Sequence, residues 1–320
     1  AAADTNSEFA KLDMSRPLHD LNAPDNMGDG SLPQRISAFA TFLPQAITGI
    51  QDGTIDPSLV RDITRAAWRD TVDAAEKFNQ PGEFTTFVAY EYTSSTDERG
   101  NLHRNVIFRG GEKLPAAPFS RFNSQNPEGL WDWMDNLRDQ GIESLSIPHN
   151  SNGSDGAMFM LQDWSGAPID SEYAQQRLRN EPLVEITQVK GTSDTHPLLS
   201  KNDEWADFEI MPYKVATTEP SRPPGSYVRD AYLRGMRVQG QGITTPSLFG
   251  LVAASDTHVA GGSFEEETYC SKTGLMDGMP ENRGSVPLSF WRSMVVKFLA
   301  PDLLTDVDGT TYMAGSSFET

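Results

Sequence analysis

The chain has 320 residues, 37% of them hydrophobic, enough to bury a sizeable core as one large domain or two small ones. A formal net charge of -19, with Lys and Arg scattered and never in runs, excludes a nucleic-acid grip built on phosphate neutralisation. No apolar stretch approaches the ~20 residues of a membrane span, and the single cysteine, Cys270, excludes an internal disulfide.

Residues 1–55 are rich in Asn, Asp, Gly and Pro and read as mostly irregular, with one short helix in the apolar stretch Ile36 to Ile50. A clear helix follows. Asp56 can cap it, Pro57 suits its first position, and Val60, Ile63, Ala67, Ala74 and Phe78 mark one face. Pro81-Gly82 ends it. Phe84 to Tyr90 reads as a short strand with Glu91 at its end, and Asn105 to Phe108 as a second, preceded by Leu102-His103-Arg104. A Pro-rich loop, residues 115–127, leads to a Trp-rich helix over 128–140, stopped by Gly141. Ser144 to Ile147 is a third short strand, and Pro148-His149-Asn150 follows directly. A helix near 171–179 precedes the strand Leu183 to Ile186. Another near 226–236 precedes a strand near 248–254, with Ser255-Asp256-Thr257-His258 straight after it. Residues 261–286 look like a Gly-rich loop, and Ser293 to Leu299 like a late strand.

Strands alternating with helices predict an α/β protein with a largely parallel sheet. A barrel is the favoured version, because polar residues cluster just past strand ends, where α/β barrels carry their active sites. The chain then reads as a single domain: 1–55 irregular, 56–260 the barrel core, 261–320 a loop and C-terminal strand.

Five histidines are present: His19, His103, His149, His196 and His258. Three of them, with Glu91 and Asp256, stand beside or just beyond short apolar strands, and His with carboxylate is the usual ligand set for zinc, manganese or iron. Singly, each residue reads as an ordinary solvated polar group. The argument is the repetition of one unusual placement at Glu91, His149 and Asp256 with His258; His103 fits less cleanly, since it precedes its strand. Ser-Asp-Thr-His occurs twice, at 193–196 and 255–258. The second copy follows seven largely apolar residues and is taken as the ligand pair. The first precedes Pro197 and reads as an exposed loop, and His19 is assigned nothing.

This ordered series resembles the PHP (polymerase and histidinol phosphatase) superfamily: Glu91 in Val-Ala-Tyr-Glu-Tyr-Thr, His103, His149 in Ser-Ile-Pro-His-Asn, then Asp256 with His258. The chain is more closely similar to the PHP-like bacterial family named domain of unknown function 3604, through residues 100–108 and 185–191. The resemblance covers roughly residues 83–260. It implies a distorted (β/α) barrel of PHP type, with one ion on Glu91, His103 and His149. Asp256 would share a second ion, and His258 a third, with histidines from His-x-His and Asp-His motifs. Neither motif occurs here, so the chain reads as an internal fragment and the barrel as incomplete.

The expected chemistry is hydrolysis of a phosphate ester on a small anionic substrate, by water activated at a divalent metal ion. Arg104 and Lys190 are the candidates for binding the anion, and Asn105 and Asn150 for orienting ligands. Two alternatives stay open. One is amide or other ester hydrolysis with the same activated water; the other is a non-catalytic, metal-stabilised binding domain using the Trp131–Trp133 segment. The location is periplasmic or extracellular if a signal peptide precedes Ala1, and cytoplasmic otherwise.

Overall fold

The computed structural model describes residues 8–17, 32–188, 191–214, 217, 219–256, 288–299, 304–307 and 310–313. They fall into two compact units: residues 1–88 with 109–118, and residues 89–108 with 119–320.

The first unit is helical. Helix α1 spans Leu32–Gln51 and helix α2 Pro57–Phe78. The short helix expected within 1–55 is therefore a helix of 20 residues, running through Pro44. Its C-terminal half is packed. Phe42, Ala46 and Ile50 recur every four residues and meet Ile55, Leu59, Val60 and Ile63 in one cluster. Helix α2 begins as its sequence predicts, with Asp56 accepting the Ser58 N–H at 2.8 Å ahead of Pro57. Its buried Trp68 donates its indole N–H to the Pro115 carbonyl at 2.8 Å.

The second unit carries the strands β1 (Ala89–Tyr92), β2 (Arg104–Phe108), β3 (Ser144–Pro148), β4 (Leu183–Gln188), β5 (Gly191–Thr192), β6 (Gly250–Ala253), β7 (Leu304–Val307) and β8 (Thr310–Met313). Its helices are α3 (Pro127–Asp139), α4 (Ser171–Asn180), α5 (Val228–Gln239) and α6 (Phe290–Leu299). Among the described residues the strands form three sheets, ordered β1-β2-β3, β5-β4-β6 and β7-β8, none of them closed on itself. The expectation of a largely parallel sheet is corrected. Among the described residues only β4 and β6 run parallel, while β1, β2 and β3 pair antiparallel. The connection from β1 to β2 contains no helix, and a parallel pair needs a long crossover. The late strand expected at Ser293 to Leu299 is instead helix α6, on which Phe290, Met294 and Phe298 share one face at four-residue spacing. A short apolar run does not distinguish the two structures by itself.

Strand β2 is two-faced. Arg104, Val106 and Phe108 are buried, and Asn105 and Ile107 between them are half-buried. The buried face meets α3, where Trp133 packs edge-on against Tyr90 and Phe108. A second core, built from Met158, Phe159, Val184, Val228, Ala231 and Phe249, joins β4 to α5.

Candidate metal centre

Period-two alternation assembles the site on the half-buried face of the β1-β2-β3 sheet. Glu91 of β1 pairs in register with Asn105 of β2, which pairs in turn with Ile147 of β3. His103 precedes Asn105 by two residues and His149 follows Ile147 by two, so all three side chains leave the same face. Glu91 Oε1 lies 2.9 Å from His103 Nδ1 and 3.2 Å from His149 Nε2. The imidazoles meet edge to face, 5.7 Å between centroids. The three ligand atoms all lie within 4.8 Å of one another. The backbone fixes this geometry: the His149 N–H donates to the His103 carbonyl at 3.2 Å, and the His103 N–H donates to Asn101 Oδ1 at 2.9 Å.

Burial and hydrogen bonding oppose each other here. Burial raises the pKa of Glu91, but hydrogen bonds from His103 and His149 outweigh it and hold the carboxyl well below its ordinary range. Burial dominates at His103 and pushes its pKa down, towards the neutral ring. Burial has the same sense at His149, where the Glu91 carboxylate and the charges of Asp256 and Glu185 overcome it and raise the pKa.

This donor set suits a divalent cation. Two imidazole nitrogens and a carboxylate oxygen converge in a largely buried spot. His149 is fully buried, and its Nδ1 has no hydrogen-bond partner among the described residues. Metal-bound imidazoles commonly place their second nitrogen on an outer partner, so this atom still calls for one.

The other expected residues are placed as follows. Asp256 follows β6 with a left-handed backbone, φ 55°, and its Oδ2 accepts the Gln188 amide at 3.0 Å. Its charge acts on both imidazoles. His258, Lys190 and His19 lie outside the described residues. Asn105 stands on the site's face opposite Glu91, and Asn150 enters through its backbone N–H, donated to Glu185 Oε1 at 3.3 Å.

Arg104, expected to bind the anion, lies on the opposite face, because neighbouring residues of a strand point apart. It is 2% exposed and donates its Nε–H to Glu181 Oε1 at 2.7 Å. Glu181 also accepts from Trp131 at 2.9 Å and from Arg177 at 3.1 Å. The guanidinium thus holds a carboxylate of its own chain.

The first Ser-Asp-Thr-His copy is fastened by local contacts. Ser193 donates to Asn152, Asp194 pairs with Arg229, and His196 Nδ1 accepts the Leu198 N–H at 3.1 Å. Sequence reasoning missed Glu185 and Gln188 as members of the site. Their one signal is two long polar side chains, Glu185 and Gln188, within the short β-prone run Leu183–Gln188.

A largely buried Glu-His-His cluster on a small antiparallel sheet, with helix α3 packed behind it, has the ligand types and spacing that could hold a metal ion. The family model described as protein of unknown function (DUF3604) matches residues 1–315, and the chain belongs to that family. No curated protein and no solved structure matches it.

Proposed function

We propose that this chain is a metal-dependent hydrolase of PHP type, acting on phosphate esters. The reading rests on the convergence of Glu91, His103 and His149, distant in sequence, into ligand atoms within 4.8 Å of one another. Glu91, His103 and His149 would hold a zinc, manganese or iron ion, which when bound would activate a water and offset charge on the substrate's oxygens. Every other role belongs to the chain. Glu91, held ionised, provides the negative charge that a buried dication needs. His103, kept neutral by burial, offers a lone pair without first losing a proton. Asp256 adds a second carboxylate whose charge reaches both imidazoles. On this reading the substrate's anionic group approaches from the half-buried face, away from Arg104, and the small sheets are parts of a distorted barrel.

The test is metal content together with turnover. The purified protein should hold a transition metal, hydrolyse members of a panel of phosphomonoesters and phosphodiesters, and stop when the metal is chelated. His149→Ala should lose the metal and lower the rate by about 100-fold or more. Turnover of amides alone would end the phosphate reading. Absence of any bound transition metal, even after reconstitution, would end the hydrolase reading.

A further inference from the structure

Glu185 sits in β4 and is 3% exposed. In a regular strand Glu185 and Gln188, three residues apart, would face opposite sides of the sheet. The pairing of β4 with β6 breaks that rule. Its register shifts between Glu185 and Thr187, and such a bulge re-aims the residues beyond it. Gln188 comes round to the side of Glu185, its Nε2 standing 3.3 Å from Glu185 Oε2 and 3.0 Å from Asp256 Oδ2. The other carboxylate oxygen, Oε1, accepts the Asn150 N–H at 3.3 Å.

Both ends of this chain of contacts are backbones in the left-handed region. Asn150, next to His149, has φ 56°, and Asp256 has φ 55°. Outside glycine, Asn and Asp adopt that conformation most readily, and the contacts around each residue act as restraints on the direction in which its chain leaves the strand. The Glu185 contact supplies one such restraint at Asn150, and the Gln188 amide holds the carboxylate of Asp256. Two short segments that follow different strands, β3 and β6, are thereby referred to a single buried side chain.

We infer that Glu185 is a positioning residue for the metal centre: through the Asn150 N–H and the Gln188 amide it fixes how His149 and Asp256 are presented to a cation. This inference rests on the metal reading of the cluster, and its consequence is an affinity rather than a chemical step. Residues that orient ligands from outside commonly change metal affinity by about 10–100-fold when removed.

The experiment uses the whole chain with Glu185→Ala, Glu185→Gln and Gln188→Met. Affinity for Zn²⁺ and Mn²⁺ is measured by competition with a chromophoric chelator. The imidazole ¹⁵N resonances of His149 and His196 are followed in the metal-free protein. Glu185→Ala should weaken Zn²⁺ binding on the order of tenfold or more and move the His149 resonances, leaving those of His196 in place. Glu185→Gln, which keeps an acceptor for Asn150, should recover part of the loss. Gln188→Met keeps Glu185 and cuts the link to Asp256, so it decides the matter if Glu185→Ala does not fold. A folded Glu185→Ala protein with unchanged affinity and unmoved His149 resonances overturns the inference. If the unaltered protein binds neither ion, the metal reading fails by itself, and the His149 resonances still decide whether Glu185 positions that ring.

Discussion

Glu181 has no exposed surface and lies between two guanidiniums, those of Arg104 and Arg177. Burial raises its pKa, but the two arginines outweigh that effect and keep the carboxyl ionised. Its removal would leave two buried cations without their partner, a situation that costs about 3–5 kcal/mol where one member of a buried pair is deleted. Glu181→Ala should therefore lose stability of that order in urea unfolding. Glu181→Gln should lose less, because it still accepts from Trp131. Wild-type stability in Glu181→Ala would show the network to be dispensable. Residues at this scale were legible where a polar side chain ends an apolar run, as at Glu91 and His149. Arg104 misled because adjacency to His103 in sequence means opposite faces in a strand. Glu185 was hidden because recognising its link to Gln188 requires a bulge, which depends on the partner strand.

Among the elements, α3 and α4 are tied together by Asp135. Its carboxylate accepts from Gln176, Arg179 and Asn180 of α4, and pairs with Arg138 within α3. Burial raises its pKa, but the hydrogen bonds from Arg179, Asn180 and Gln176 outweigh that and push it down to about 2, against 3.8 ordinarily. A depressed folded value means stability that is fully present above 3.8 and lost as pH falls towards about 2. Asp135→Asn should thus be the less stable protein at pH 5, with the gap narrowing below about pH 4 and closing only as pH falls below about 2. A gap in melting temperature that stays constant across that range would contradict the assignment. Helices with a capping side chain and a proline at the start, α2 and α3, could be read from sequence within a residue or two. Helix α1 was read in its apolar stretch Ile36 to Ile50, but its start at Leu32, ahead of that stretch, was not. Strand direction was equally unreadable, since antiparallel pairing of β2 with β3 depends on how residues far apart in the chain meet.

For the whole molecule, the legible quantity is charge, and the division into two compact units is the one the pattern of residues did not announce. No break in composition marks residue 88, and the first unit reclaims residues 109–118 after the chain has already built β1 and β2. The net charge of -19 bears on metal uptake. Fields of this sign raise the local concentration of cations and are screened over about 10 Å at 0.1 M salt. The association rate of Zn²⁺, followed by stopped flow, should fall clearly between about 10 mM and 150 mM ionic strength. A rate indifferent to salt would mean that the overall field plays no part in delivery.

The two-faced character of β2 also bears on how such a protein can change over generations. Arg104, Val106 and Phe108 answer to the packing behind the sheet, while Asn105, interleaved with them, and His103 just before the strand answer to whatever lies in front. Substitutions at the second set leave the first untouched. On the proposed metal reading, a lineage could therefore exchange one cation for another, or lose the site altogether, without inventing a new scaffold. Descendants that have done so would keep Arg104, Glu181 and Arg177 long after Glu91, His103 and His149 had drifted apart.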